Sequence, residues 1–264
     1  MWPVNDPLFD LDGRVAVVTG GIGQLGQVYL AGLVERGMRV ASFDVVAGAV
    51  PEAVRAYEVD VTDRPSIARA LDELVAEWGV PHVLVNNAGL DSPPDAPAEE
   101  VGPFEEYPES AFDAVMDVNV KGTLLCCQVV GAAMAKEGRG SIVNVSSVYG
   151  LLSPPQDLYE FRRAQGETFF KPVAYSVSKS AILNLTRYLA TYWAKEGVRV
   201  NTLTLAGVWN DQPKEFLDAF ATRSPVGRML DAREALGAVV FLASDASSYV
   251  TGSNVVVDGG WSAW

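Results

Sequence analysis

Arg14-Val15-Ala16-Val17-Val18-Thr19-Gly20-Gly21-Ile22-Gly23-Gln24-Leu25-Gly26 decides the fold of this chain. Its first part is a continuous apolar run of strand length, as expected for a strand covered on both faces. A glycine-rich turn follows at once, and then a helix to about Arg36, stopped by Gly37. That order gives Gly21-x-Gly23-x-x-Gly26 a physical meaning. Small residues let the backbone approach a pyrophosphate, and the helix N-terminus offers its unpaired N–H groups to the anion. Gly20, Ile22, Gly23, Gln24, Leu25 and Gly26 are the candidate residues at the phosphates.

Met38 to Phe43 reads as a second strand, closed by Asp44 at the distance where a carboxylate meets adenosine ribose hydroxyls. A carboxylate there repels a 2′-phosphate, and the nearest cation, Arg39, lies at the far end of the strand. The expectation is NAD in preference to NADP. A short strand near Ala56 to Val59 leads to Asp60-Val61-Thr62-Asp63, with Asp63 as N-cap of a helix running to about Trp78. Val83-Leu84-Val85 is the next strand, ending in Asn86-Asn87-Ala88-Gly89. Alternating strands and helices predict an α/β fold: a Rossmann-type, doubly wound parallel sheet in three α/β/α layers. In such sheets the site lies beyond the carboxyl ends of the strands, where Gly20, Asp44, Asp60 and Asn86 all fall.

The 264 residues, 49% hydrophobic and 20% charged, suffice for one domain spanning residues 1–264 with a full core. A net charge of −13 argues against nucleic acid or an anionic membrane as partner. No apolar run is read as membrane-spanning, and Met1 to Asp6 lacks a leader pattern, so a cytoplasmic protein is expected. Adjacent Cys126 and Cys127 and the lone His82, at the start of a strand, suggest neither disulfides nor a metal site.

Residues 90–108, rich in proline and acid, read as a loop over the site. A helix from about Ser110 carries Asn119, and its stretch Thr123 to Ala135 is apolar nearly all round, as in a helix buried in a core or against another subunit. Ile142 to Val145 is a strand closed by Ser146-Ser147. Ala174 to Lys195 reads as a long helix, which places Tyr175 and Lys179 side by side one turn apart. A phenol titrates near ~10, so acid–base work near neutrality needs a drop of roughly 2–3 units, about 3–4 kcal/mol. A neighbouring ammonium supplies it.

With Asn86-Asn87-Ala88-Gly89, Asn119-Val120-Lys121-Gly122, Ser146-Ser147 and Tyr175-x-x-x-Lys179 in this order, residues 9–262 resemble the short-chain dehydrogenase/reductase family. Val198-Arg199-Val200-Asn201 and Val257-Asp258-Gly259-Gly260 belong to the same resemblance. It implies Tyr175 as general acid/base and Lys179 lowering its pKa and holding the nicotinamide ribose. It also implies Ser147 on the substrate oxygen and Asn119 propping a water-linked proton path. Hydride transfer between NAD and a secondary alcohol or ketone follows. Asp44, Asp60, Val61, Asn87, Ala88, Gly89, Val208 and Asn210 join the cofactor residues, and Ser147, Tyr149 and Trp209 the substrate pocket. A homotetramer, or a homodimer, is implied by the apolar faces of Thr123–Ala135 and Ala181–Trp193.

Three departures qualify the resemblance. Position 24 is Gln, and Gly23 stands one place early, a spacing like that of the nucleotide-sugar-modifying branch of the superfamily. Leu205-Ala206 replaces the usual Pro-Gly. Were φ positive at the second position, Ala would cost roughly 1 kcal/mol against Gly. Ser147 and Tyr175 stand 28 positions apart, so about 151–173 forms an insertion that should wall the substrate pocket or a subunit contact. Its Arg162-Arg163 reads as a solvated pair or a grip for an anion. Relatives with such an insertion resemble enzymes of sugars, sugar acids or polyols. Residues 207–225 read as a mobile helical lid. Two alternatives stand beside the dehydrogenase: an epimerase or dehydratase with tightly held NAD, and a non-catalytic nucleotide-binding protein.

Overall fold

The computed structural model describes residues 6–46, 48–91 and 97–264. These build a seven-stranded sheet in the order β3-β2-β1-β4-β5-β6-β7, every neighbouring pair parallel. The strands are β1 (Val15–Thr19), β2 (Arg39–Asp44), β3 (Val54–Glu58), β4 (Val83–Asn86), β5 (Gly140–Ser147), β6 (Val198–Leu205) and β7 (Asn254–Val257). All five residues of β1 are buried, and they divide by alternation. Val15 and Val17 enter one core with Ile67, Leu74, Met134 and Trp193, whereas Ala16 and Val18 enter another with Leu30, Leu33, Val239 and Leu242. Helices thus cover both faces, which is why these strands read as unbroken apolar runs.

Helix α1 (Gln24–Val34) follows β1. Helix α2 (Arg64–Trp78) opens on Asp63, whose carboxylate accepts from Ser66 N at 3.2 Å, with Pro65 in the first turn. Strand order reverses between β1 and β4, and the crevice beyond their carboxyl ends is where a doubly wound sheet takes a ligand. A predicted short strand over 56–59 is shifted to Val54–Glu58, and the predicted strand over 142–145 extends to Gly140–Ser147.

The sequence reading expected no apolar run of spanning length. Among the described residues one helix, Glu109–Glu137, is nevertheless long and apolar enough to pass that test by length and composition. Its apolarity has a local cause: Cys126, Cys127, Val130 and Met134 are buried in the first core. The loop expected over 90–108 contains short turns at Ala98–Glu100 and Phe104–Glu106, and its residues 92–96 lie outside the described residues.

A third core lies beyond the sheet's carboxyl edge. Leu158 from the insertion, Phe220 from the helix Lys214–Arg223, Met229 and Trp261 from the tail pack with Val148 and Ala206. Ala206 does not have positive φ, so the cost attached to its replacing Gly does not arise. Its N–H donates to Val257 O at 3.2 Å, one position past the end of β6.

Candidate active site

The glycine turn is shaped by packing before any ligand is considered. Gly20 has φ +63°, and a Cβ there would stand 2.7 Å from Ala88 Cα. A Cβ on Gly26 would stand 2.1 Å from Gly20 O. Gly23 differs: it is the N-cap of α1, makes no side-chain cap, and a Cβ would meet only Gly20 O at 3.4 Å. Bare backbone therefore ends α1 at the crevice, an arrangement that fits a dinucleotide pyrophosphate. Displaced Gln24 has its own partner, donating through Nε2 to Trp209 O at 2.6 Å.

Asp44 closes β2, and its Oδ2 accepts from Ile22 N at 3.1 Å, fixing the carboxylate against the glycine turn. Arg39 is engaged elsewhere, 6.0 Å over the Trp78 ring and donating to Gly13 O and Trp78 O. Asp60 Oδ1 accepts from Thr62 N and Oγ1 at 2.8 and 2.7 Å. Val61 is buried in the first core, so its side chain belongs to packing and only its backbone faces outward chemistry. Asn87 Nδ2 donates to Thr19 O and Gly20 O, and Thr19 Oγ1 accepts from Asn87 N and Ala88 N, both at 3.0 Å. Thr19 thus clamps the ends of β1 and β4 together.

Tyr175 and Lys179 lie on the helix Val173–Trp193. Lys179 Nζ donates to Val145 O at 3.0 Å and stands 5.7 Å from the Tyr175 ring centroid. The Ser147 hydroxyl lies near enough to the Tyr175 phenol to lower its pKa, and Ser147 Oγ accepts from Tyr149 N at 3.2 Å. The helix docks closely on the end of β5: Ser146 Oγ donates to Lys179 O at 2.8 Å, and a Cβ on Gly150 would meet Lys179 O at 2.6 Å. Asn119 lies in a π-helical segment, Asp117–Gly122, a local widening often found at functional sites. Its amide exchanges hydrogen bonds with Leu90 N and O and donates to Ser178 Oγ at 2.9 Å, and Ser178 Oγ donates to Tyr175 O. A Cβ on Gly89 would meet Asn119 Oδ1 at 3.3 Å and Lys179 Nζ at 3.4 Å. Asn119, Ser147, Tyr175, Lys179 and Gly89 are therefore one group.

One expectation is reversed. The Tyr175 phenol is held above its ordinary pKa, not below it, by burial first and then by the Asp91 carboxylate, against a smaller opposing effect of the Ser147 hydroxyl. Burial also pushes Lys179 down to about 8, with Asp91 opposing. The ammonium expected to acidify the phenol is itself taken out of water, which weakens its hold on the proton.

Two other predicted residues are not brought into this group. Trp209 is half exposed and lines a cleft of about 810 Å³ with Leu217, Met229 and Arg233. Among that cleft's lining residues are none of Asn119, Ser147, Tyr175 or Lys179. Asn210 is exposed, its N–H donating to Gln212 Oε1, beside Asp211 at φ +53°.

The insertion is neither a solvated pair nor an anion grip at Arg162-Arg163. Arg162 sits 4.1 Å over the Phe169 ring and pairs with Glu167 at 2.6 Å. Arg163 donates to Gln156 O at 2.7 Å and Phe169 O at 2.9 Å while bonding Glu160. Both arginines hold the insertion to itself. Tyr159 stacks on Phe169 and Phe216 at 4.7 and 5.5 Å, joining insertion to the Lys214–Arg223 helix. Ser178, Thr19 and the pair Lys171–Asp91 escaped the sequence reading. Ser178 stands inside the Tyr175-x-x-x-Lys179 motif, three residues from Tyr175, and that spacing is its one signal.

Residues 26–262 match a family model described as enoyl-(acyl carrier protein) reductase. D-threitol dehydrogenase of Mycolicibacterium smegmatis is 33% identical, covering 96% of this chain and 94% of that protein. A short-chain dehydrogenase from Leptospira borgpetersenii, solved with bound NAD+, superposes with a TM-score of 0.86 at 28% identity, covering 98% and 96% of the two chains. A gluconate 5-dehydrogenase from Burkholderia cenocepacia, solved with NADP and tartrate, gives 0.84 at 28% identity, covering 98% of each.

Proposed function

This chain belongs to the short-chain dehydrogenase/reductase family as an NAD(P)-dependent dehydrogenase acting on CH–OH groups, and from that premise we propose that it transfers hydride between NAD and a secondary alcohol or ketone of a polyol, sugar or sugar acid. The observation that carries the reading is Tyr175 beside Ser147 and one turn from Lys179, at the crevice beyond the ends of β1 and β4. NAD supplies the carbon that accepts the hydride. In the oxidation, Ser147 Oγ donates to the substrate oxygen and Tyr175 Oη takes the hydroxyl proton. Lys179 Nζ, held by Val145 O, supplies the positive charge that favours phenolate and binds the ribose. Asn119 positions this helix through Ser178 and the Leu90 loop.

Gly20, Gly23 and Gly26 hold the pyrophosphate, and Asp44 takes the adenosine ribose hydroxyls. The fixed Asp44 carboxylate and the engagement of Arg39 support NAD over NADP. A polyol or sugar acid is supported by the likeness to D-threitol dehydrogenase and to a gluconate 5-dehydrogenase. The insertion, with Tyr149, and the 207–225 segment close the substrate side through the third core. The protein works as a homotetramer: Tyr188 and Tyr192, stacked at 5.9 Å and each 62% exposed on the Val173–Trp193 helix, support a second copy against that face. Purified protein given NAD and a panel of polyols, sugars and sugar acids yields reduced-nicotinamide absorbance. Silence across the panel in both directions would remove the proposal, and sedimentation as a monomer would remove the tetramer.

A further inference from the structure

The insertion ends by placing Lys171 beside Tyr175, on the opposite route from Lys179. Lys171 Nζ lies 5.2 Å from the Tyr175 ring centroid and is ion-paired to Asp91, on the loop that follows β4. Its side chain is 8% exposed, against 49% for Asp91, so the cation is the buried member of the pair. Lys171 is fixed from both sides of its backbone. Its N–H donates to Gln156 Oε1 at 2.8 Å, and its carbonyl accepts from Gln156 Nε2 at 3.3 Å. Next to it, Phe170 N donates to Val101 O at 2.7 Å, and Arg163 grips Phe169 O. Such anchoring costs a loop several rotatable bonds of freedom for a single ion pair, more than a solvated surface lysine receives.

We propose that Lys171 is a positioning residue for the reaction: delivered by the insertion beside the Tyr175 ring, it pairs with Asp91 and offsets that carboxylate's field at the Tyr175 hydroxyl. This inference rests on the reading of Tyr175 as general acid/base. From the elements packed round it, Tyr175 faces Asp91 after β4, Tyr149 after β5, Lys171 at the end of the insertion and Lys179 on its own helix. Among the described residues, Asp91 is the negative charge in that group, and its field reaches Tyr149 and Tyr159 as well as Tyr175, raising each phenol. An anion opposite a group that must become phenolate opposes the oxidation, and a paired anion opposes it less.

The test is the pH dependence of alcohol oxidation with NAD. Activity rises as Tyr175 loses its proton, so the acid limb marks that step. Lys171→Met moves this limb alkaline by about one pH unit, roughly a tenfold loss of rate at a fixed pH below it. Lys171→Arg keeps a cation and leaves the limb near its original place. In an Asp91→Asn background the same Lys171→Met change moves the limb by less than a third as much. Where Lys171→Met does not fold, Lys171→Gln replaces it. A lysine that merely pins the insertion changes KM or thermal stability and leaves the limb in place, and that result overturns the inference. An equal limb shift in both backgrounds also overturns it, because Asp91 is then not the intermediary. The two levels separate cleanly: a fully active Tyr175→Phe removes the proposed function, whereas an unmoved limb in an enzyme that Tyr175→Phe inactivates removes only the role of Lys171.

Discussion

The crevice between β1 and β4 and the wall beyond β5 do their work by different physics. The first is backbone: Gly20 at φ +63°, Gly26 against Gly20 O, Thr19 bridging to Asn87 and Ala88. The second is side chain: Arg163 on two carbonyls, Arg162 over Phe169, Tyr159 between Phe169 and Phe216, Arg223 paired with Asp157. Backbone geometry at a tight turn admits few residues and holds one shape. A wall of long side chains on a short insertion can change its lining without disturbing the sheet. Under the proposed function, the first region suits cofactor binding and the second substrate choice.

The sharpest break between the regions is Tyr175→Phe, at their junction. It should lower kcat about 1000-fold while leaving NAD affinity and far-ultraviolet circular dichroism unchanged, since the lost hydroxyl moves a proton and carries no packing. Gly20→Ala comes next. Positive φ and a Cβ 2.7 Å from Ala88 Cα should cost about 3 kcal/mol in urea unfolding and weaken NAD in calorimetry. A variant as stable as the parent would show that the crevice is not held by backbone. Arg163→Met removes two carbonyl partners from the wall and should raise KM for the alcohol about tenfold, with the NAD dissociation constant unchanged. Equal weakening of both ligands would erase the division.

The smallest effect belongs to the frame common to both. His82 Nδ1 accepts from Val15 N, and burial, helped by Arg139, Arg14 and Arg39, pushes its pKa down to about 4. Its neutral form is the folded one, so its contribution is complete above about 6.5 and is lost as pH falls towards 4. Because the ring is only half-buried, the loss is on the order of 1 kcal/mol. His82→Gln should flatten that part of the melting-temperature profile, and an unchanged slope would remove this account of His82.

Legibility follows the same division. Gly20, Gly26, Asp44, Asn87 and the Tyr175–Lys179 turn were readable because their requirements are local: a strand, a turn, a helix face. The sheet followed from the same alternation. The wall was not readable. Lys171 meets Asp91 across 80 positions, Arg223 meets Asp157 across 66, and no spacing announces such contacts. The reversed shift at Tyr175 has a related cause. Sequence places a cation one turn away, but burial and the distant Asp91 decide the balance. Trp209, offered for the substrate pocket, lines the cleft beside Arg233.

Isotope transfer tests the central claim most directly. A secondary alcohol carrying deuterium on its carbinol carbon is turned over with NAD by the wild-type protein and by Tyr175→Phe, and the label is followed. Deuterium recovered on the reduced nicotinamide with wild type, and almost none in the same time with Tyr175→Phe, is the expected result. Label washing out into water, or transfer at an undiminished rate without the phenol, would contradict it.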